Sequence, residues 1–547
     1  MHCTKPKIYE IAALAMLVTI ASTGVASPYQ GVLPETERLE QERMQQERLL
    51  REEAGRLMIP ALRGDGISIE PLPETEESFV LQGILFSRSV FLDDMLLRDI
   101  SGAYVGLPIT TADLNRMLEK INAVYDERGL ITARAIIPPQ EIEDGRLRVL
   151  LVEASLQEVV WNTEPRGVGT DFFVSRMAMT EPGEILDPVA LMHEIQRFND
   201  LSPGPLISAS LAPGDEFGTT RLLYDVFEPQ PRQWRLSLSN YGGETTGEMQ
   251  LGIDLSWYSP FGRSDELTAS LIGSEGTLYG TARYRTPVGA GPLLFNTGVG
   301  LNQIKIMRGP FRELEVEGQS SHIDLGLERM FWRSPAWLYG LRGGMSYGTS
   351  ETTILGGLPL GETQQQRLTL AGYARYRTER LFLRYEQELD WTSHHNKVTD
   401  VKNANSSLKG TGLGQYTISS QWRVLGRVRW QYANETSAVP PAMLFSLGGL
   451  SSVRGYDAGI LAGPYGFDMS AELHRAISES WSVAALLDYG QVFEVDGVNP
   501  SISSIGVYSQ YHHSDQLNFN AVFAQAGTRV TPEQDMSKLW LRAEWRF

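Results

Sequence analysis

From Arg232 to Phe547 apolar and polar side chains alternate one for one, and many of the polar ones carry full charges. Met249, Leu251, Ile253, Leu255 and Trp257 are separated by Gln250, Gly252, Asp254 and Ser256. Leu383, Tyr385, Leu389 and Trp391 alternate with Arg384, Glu386, Glu388 and Asp390, and Gly426, Val428, Trp430 and Tyr432 with Arg427, Arg429 and Gln431. A period of two is the strand period. A soluble sandwich also alternates, but it seldom places full charges at every second position of several strands and large aromatics at the strand ends. A barrel with lipid outside and water inside accounts for both. In the last strand Leu539, Leu541, Ala543, Trp545 and Phe547 face one way, and Trp540, Arg542, Glu544 and Arg546 the other. Trp545 and the terminal Phe547 are read as the closing signal of an outer-membrane barrel. About 315 residues at roughly 20 per strand and turn predict about 16 antiparallel strands for residues 231–547.

Past the N-terminus the chain has no apolar run of about 18 residues, so no spanning helix is expected. The 53 glycines, 21 tyrosines and 11 tryptophans suit a β-rich, turn-rich chain with interfacial aromatics. A net charge of −18 argues against nucleic acid as the main partner. Lys5 and Lys7, the apolar core Ile11 to Ile20 and the small residues Gly24-Val25-Ala26 read as a secretory signal peptide over 1–26. The one cysteine, Cys3, lies within it, so the mature chain would cross an oxidising compartment without thiols.

Residues 27–54 interleave seven glutamates with Arg38, Arg43, Arg48 and Arg51 at helical neighbour spacings. Composition reads this as a solvated helix or a coiled-coil stub, too charged for lipid. Residues 55–76 read as a linker, because Pro60, Gly64, Gly66, Pro71 and Pro73 break any regular element. Residues 77–153 then read as strand (Phe79 to Phe86), short helix (Leu92 to Ile100), a second helix with Thr111 as N-cap and Gly129 as stop, and strands Thr132 to Ile137 and Leu147 to Val152 around Glu143-Asp144-Gly145. Residues 154–230 repeat the pattern, with strand Leu156 to Trp161, helices Phe172 to Met179 and Asp187 to Asn199, and strands Leu206 to Leu211 and Arg221 to Phe227. The fold expected is mainly β: two tandem α+β (βααββ) modules ahead of a 16-stranded barrel.

Three segments carry a family resemblance. The first runs from Tyr125 through Gly129, Pro138 and Gln140 to Gly145. The second is Arg197-Phe-Asn-Asp-Leu-Ser-Pro-Gly204 with Leu211-Ala-Pro-Gly214. The third is Phe445-Ser-Leu-Gly-Gly-Leu-Ser-Ser-Val-Arg-Gly-Tyr456. In this order they resemble the two-partner secretion transporters, the ShlB/FhaC/HecB (TpsB) family, over nearly the whole mature chain. The resemblance implies that the modules are POTRA domains in the periplasm and that residues 27–54 form a plug helix in the pore. It also implies a long sixth loop that folds back into the barrel carrying Val453, Arg454, Gly455 and Tyr456. There Arg454 pairs with a lumenal carboxylate, matched by Asp488; Leu487 stands where the family often has Phe. The client would be an unfolded secreted exoprotein of haemolysin or adhesin type. Outer-membrane lipid, lipopolysaccharide and the barrel assembly machinery would be the other partners.

Two other plans share parts of this pattern. A factor that inserts other barrels would also join POTRA domains to a barrel, usually with more than two of them. A passive porin would leave the βααββ modules without a role. No catalytic, metal or cofactor site is expected: His-Glu-x-x-His, a phosphate-cradling GxxxxGK[ST] loop and paired cysteines for zinc are missing from the sequence. The pairs His394-His395 and His512-His513 fall in expected loops, where adjacent side chains point apart.

Overall fold

The computed structural model describes residues 61–63 and 71–547, apart from 74, 76, 143, 310, 435–442, 494–496 and 533. The expected signal peptide (1–26) and charged helix (27–54) lie outside the described residues. The chain divides into one unit over 55–229 and another that includes the barrel from 230 to 547.

The first unit opens with a correction. Within the expected linker, β1 (Leu62–Arg63) forms a strand. Ala61 to Arg63 lies between Pro60 and the glycines, just long enough to pair yet too short to show a period. Further along, the Leu72 N–H donates to Asn115 Oδ1 at 2.9 Å, and the Thr75 N–H to Thr111 Oγ1 at 2.8 Å.

The first module holds β2 (Phe79–Val80), β3 (Gly83–Phe86), α1 (Asp94–Gly102), β4 (Pro108–Ile109), α2 (Thr111–Glu127), β5 (Ala133–Ile136) and β6 (Arg146–Glu153). Its sheet runs β3-β6-β5, with β3 parallel to β6 and β5 antiparallel. The single strand expected from Phe79 to Phe86 is broken, because the Leu81 N–H turns to Leu107 O and the Gln82 N–H to Gly145 O. The N-cap of α2 is Thr110 and not Thr111, whose hydroxyl is taken by Thr75. Asp113 accepts the Thr110 N–H at 2.9 Å, which holds this exposed carboxyl below its usual range. Met117, Ile121 and Tyr125 of α2 are fully buried against Ala133, Leu147 and Val149.

The second module holds β7 (Ser155–Trp161), α3 (Thr170–Val174), α4 (Pro188–Leu201), β8 (Leu206–Pro213) and β9 (Thr219–Phe227). Its sheet runs β1-β8-β9-β7, so the linker strand is the outermost member. The helix expected over Phe172 to Met179 is shorter: it stops at Val174, where Ser175 Oγ donates back to Phe172 O and competes with the helical backbone. The modules join without a gap, since the Ala154 N–H donates to Thr132 O and the Leu186 N–H to Ala154 O.

Among the described residues of the second unit, sixteen antiparallel strands close a barrel, the first (Arg232–Ser239) pairing with the last (Ser537–Arg546). The alternation sorts as lipid outside and charge inside require. Leu539, Leu541, Trp545 and Phe547 are exposed outward, while Trp540, Arg542 and Glu544 are buried inward. Phe547 closes the seam by exchanging backbone hydrogen bonds with Trp234 at 2.9 and 3.0 Å. The short turns share a device: the hydroxyls of Ser334, Ser419 and Ser478 accept the N–H groups of Trp337, Trp422 and Trp481 at 3.2, 3.3 and 3.1 Å. Ten residues further along their strands stand Tyr347 and Tyr432 (337 to 347, 422 to 432), both exposed. At about 3.3 Å per residue and a tilt near 40° this spans roughly 25 Å, the height of an outer-membrane apolar band. The strands around it continue beyond the band. His394 and His395 therefore lie on the strand Leu381–Asn396 and His512 ends the strand Ser501–His512, where loops were expected. The hydrogen-bond ladder outlasts the apolar alternation there.

Candidate functional site in the barrel lumen

The strands Trp422–Ala433 and Tyr465–Ala476 are joined by the long connection 434–464. Its described part turns inward. Phe445–Leu447 and Leu461–Gly463 pair as a small hairpin. Phe445, Leu447, Val453 and Tyr456 are buried against Val492, Ile502 and Ala526 of the barrel's inner face. The Tyr456 hydroxyl donates to Thr528 O at 2.9 Å and accepts the Thr528 N–H at 3.1 Å.

At the centre lies Arg454, 6 % exposed, opposite Asp488, 0 % exposed. Arg454 Nε donates to Asp488 Oδ2 at 2.9 Å and Nη2 to Oδ1 at 2.6 Å, two parallel hydrogen bonds that only a planar guanidinium can make. The Arg454 backbone N–H adds a third bond to Asp488 at 3.1 Å, and Ser504 Oγ a fourth at 2.9 Å. The neighbouring Leu487 is 56 % exposed on the outer face, so its difference from the family's usual Phe does not reach the pair. Gly455 lies against the strand Leu517–Ala526, and a Cβ on it would meet the Ala526 N at 2.6 Å.

Several contributors escaped the sequence reading. Arg454 Nη1 also reaches Glu472 Oε1 at 2.5 Å, and Nη2 reaches Ser470 Oγ at 2.6 Å. One turn back, Ser452 Oγ donates to Asp468 at 3.0 Å, and Asp468 in turn pairs with Arg429. Trp540 Nε1 donates to the Arg454 carbonyl at 3.1 Å. The signal was present in the strand after the loop, where Asp468, Ser470, Glu472 and His474 alternate with Met469, Ala471 and Leu473. In this cluster Arg429, Arg454, Asp468, Glu472 and Asp488 each face a charged partner, and removing one leaves its partner short of a bond.

The candidate residues of the first module sit elsewhere and hold its fold. Tyr125 donates to Glu153 Oε1 at 3.0 Å, and burial pushes its phenol well above the usual range. Gly129 ends α2 at φ +72°. The Gln140 side-chain amide donates to Pro138 O at 3.3 Å and to Arg148 O at 2.8 Å, and its oxygen accepts the Arg148 N–H at 2.8 Å. Gly145 takes φ +65°, and a Cβ there would stand 2.5 Å from Val80 O.

A closed 16-stranded barrel, a loop locked into its lumen and tandem βααββ domains ahead of it define a class: an outer-membrane transporter with periplasmic POTRA domains. The profile of the haemolysin secretion/activation proteins ShlB/FhaC/HecB matches residues 218–507, and that of the ShlB-type POTRA domain residues 79–154. The first covers more than half of the 547 residues, and the chain belongs to the ShlB/FhaC/HecB family. It secretes a partner protein across the outer membrane through its barrel. The heme/hemopexin transporter protein HuxB of Haemophilus influenzae (strain 86-028NP) is 24% identical over 409 residues, 71% of each chain. The outer membrane transporter CdiB of Dickeya dadantii is 22% identical over 442 residues, 77% of this chain and 76% of its own. The solved structure of CdiB from Escherichia coli superposes with a TM-score of 0.61 at 17% identity, covering 93% of this chain and 98% of its own.

Proposed function

We propose that this chain serves one dedicated client and that the loop 434–464 is its gate, latched by Arg454 on Asp488. The observation that supports the gate is the double hydrogen bond between a loop guanidinium and a fully buried wall carboxylate. In this reading the client arrives unfolded and pairs by main-chain hydrogen bonds with a POTRA sheet edge. The client then threads the barrel past the charged wall and folds outside. Folding outside supplies direction, so no step requires a catalytic residue or a nucleotide; secretion that continues unchanged when the client's folding is blocked would count against this. The outward bands contact lipid and lipopolysaccharide, and Trp545 and Phe547 present the last strand to the barrel assembly machinery.

The test compares secreted and outer-membrane proteomes of a deletion strain with those of strains complemented by wild type or Arg454→Ala. Loss of one large secreted protein, restored by wild type and poorly by the variant, is expected. A broad fall in many barrel proteins would instead make the chain an assembly factor.

A further inference from the structure

The two βααββ modules carry the same polar device on the same edge. Asn122 stands eleven residues into α2 beyond its first residue (111 to 122), and Asn199 eleven into α4 (188 to 199). The Asn122 amide accepts the Ala135 N–H at 2.7 Å and donates to Ala135 O at 3.3 Å. The Asn199 amide accepts the Ile207 N–H and donates to Ile207 O, both at 2.8 Å. Each asparagine thus satisfies one residue of an edge strand, β5 in the first module and β8 in the second, and fixes which backbone groups lie beyond it.

Beyond that point the edges differ. In the first module two residues on from Ala135 is Ile137, and the chain then runs into Pro138 and Pro139, which have no N–H to offer a ladder. In the second module the corresponding residues are Ala209, Ser210 and Leu211, of which Ala209 and Leu211 stand at the positions that turn their N–H groups to the edge and Ser210 pairs toward β9. This edge is occupied. The Ala209 N–H donates to Ala61 O at 2.9 Å, and Leu62 and Arg63 pair in parallel with Ala209 and Ser210. Ala61 and Leu62 also pack against the module's core.

We propose that the β8 edge, Ser208 to Leu211, is the docking strand for an extended segment of the unfolded client, and that β1 is its intramolecular stand-in. The inference rests on the reading that a client pairs with a POTRA sheet edge. The chain itself shows that this edge accepts an extended, parallel polypeptide with an apolar residue turned to the core. A two-residue strand is a weak occupant held by its tether, so a longer client strand of alternating apolar side chains displaces it. Displacement frees the linker immediately downstream of the charged segment 27–54, which couples client arrival to release of whatever that segment does.

A reversible tether tests this in the full-length transporter in cells. Leu62→Cys with Ala209→Cys places the two thiols at partnered positions of a chain whose one other cysteine is Cys3. The readout is the amount in the medium of the secreted protein that depends on this chain, with the wild type and each single variant given the same reductant. With the linker held covalently the client cannot compete, and secretion is expected to fall by about tenfold or more, returning on reduction. Equal secretion from the oxidised and reduced forms would overturn the proposal. If the double variant secretes poorly even when reduced, a photocrosslinker at Ser210 decides. Capture of the client during transport supports the docking strand, and capture of the chain's own linker alone refutes it. A wild type that exports no dependent protein would instead refute the transporter reading, so the two failures are distinct.

Discussion

The two sides of the barrel lumen are built on opposite principles. The wall that receives the loop carries an apolar patch on its inner face, where Leu486, Val492, Ile502, Val522, Ala524 and Ala526 are buried, beside the enclosed pairs of Arg454 with Asp488 and Arg429 with Asp468. On the strands Trp337–Ile354 to Val401–Thr417 the inner face is wet. Arg342 reaches Glu386 at 2.6 Å and Glu388 at 3.2 Å in pairs that remain partly open to the lumen, while Lys409 reaches the buried Asp390 at 2.6 Å. Both walls alternate with the same period. The difference lies in what covers the charges: a folded loop on one side, neighbouring wall side chains on the other. Charge pairs on the first wall should therefore matter for gating, and those on the second only for what passes.

The largest effect is expected at Arg454. Arg454→Ala leaves Asp488 buried without its cation and Glu472 with His474 alone, a loss of about 3–5 kcal/mol from the loop-in arrangement. Occupancy of that arrangement collapses, and secretion should fall about tenfold or more while the chain still reaches the outer membrane. Arg454→Lys should secrete nearly as poorly, because an ammonium cannot copy the two parallel bonds. Secretion of both variants at the wild-type level would remove the distinction between the walls.

Gly455→Ala comes next. The added methyl must displace the loop from Ala526, an overpacking cost of about 1–3 kcal/mol. Limited proteolysis of intact cells should show the connection 434–464 cut faster than in wild type. Trp540→Phe is milder. It keeps the ring but removes the donor to the Arg454 carbonyl, for about 1 kcal/mol. It should lower secretion severalfold less than Gly455→Ala, and an effect equal to that of Arg454→Ala would mean the indole itself is part of the latch.

The barrel was legible because lipid and water impose a strict period of two on every strand, from Met249–Trp257 to Leu539–Phe547. The pairing of Arg454 with Asp488 came through the family's loop motif. Asp468, Glu472 and Trp540 were not seen, because a wet lumen and a loop-filled lumen ask for the same alternation and only tertiary contact separates them. The linker strand escaped for a different reason. Leu62 and Arg63 are too few to show periodicity, and the prolines and glycines around them signal a break. The N-cap of α2 shifted by one residue because Thr110 and Thr111 are chemically equivalent as caps, and the choice was made by Thr75, distant in sequence.

The smallest effect on secretion is expected from Arg342→Ala, and it tests the comparison from the other side. Its ion pairs with Glu386 and Glu388 are partly exposed, and an exposed pair contributes about 0–1 kcal/mol and is screened by salt. Stability and secretion should therefore stay near wild type. The electrostatics of the path should not. Removing one guanidinium beside Glu386 and Glu388 leaves that stretch of wall more negative, so in planar bilayers under a salt gradient the reversal potential should move toward cation selectivity. An Arg342→Ala variant with unchanged selectivity but lost secretion would place a gating contact on the wet wall and reverse the assignment of the two sides.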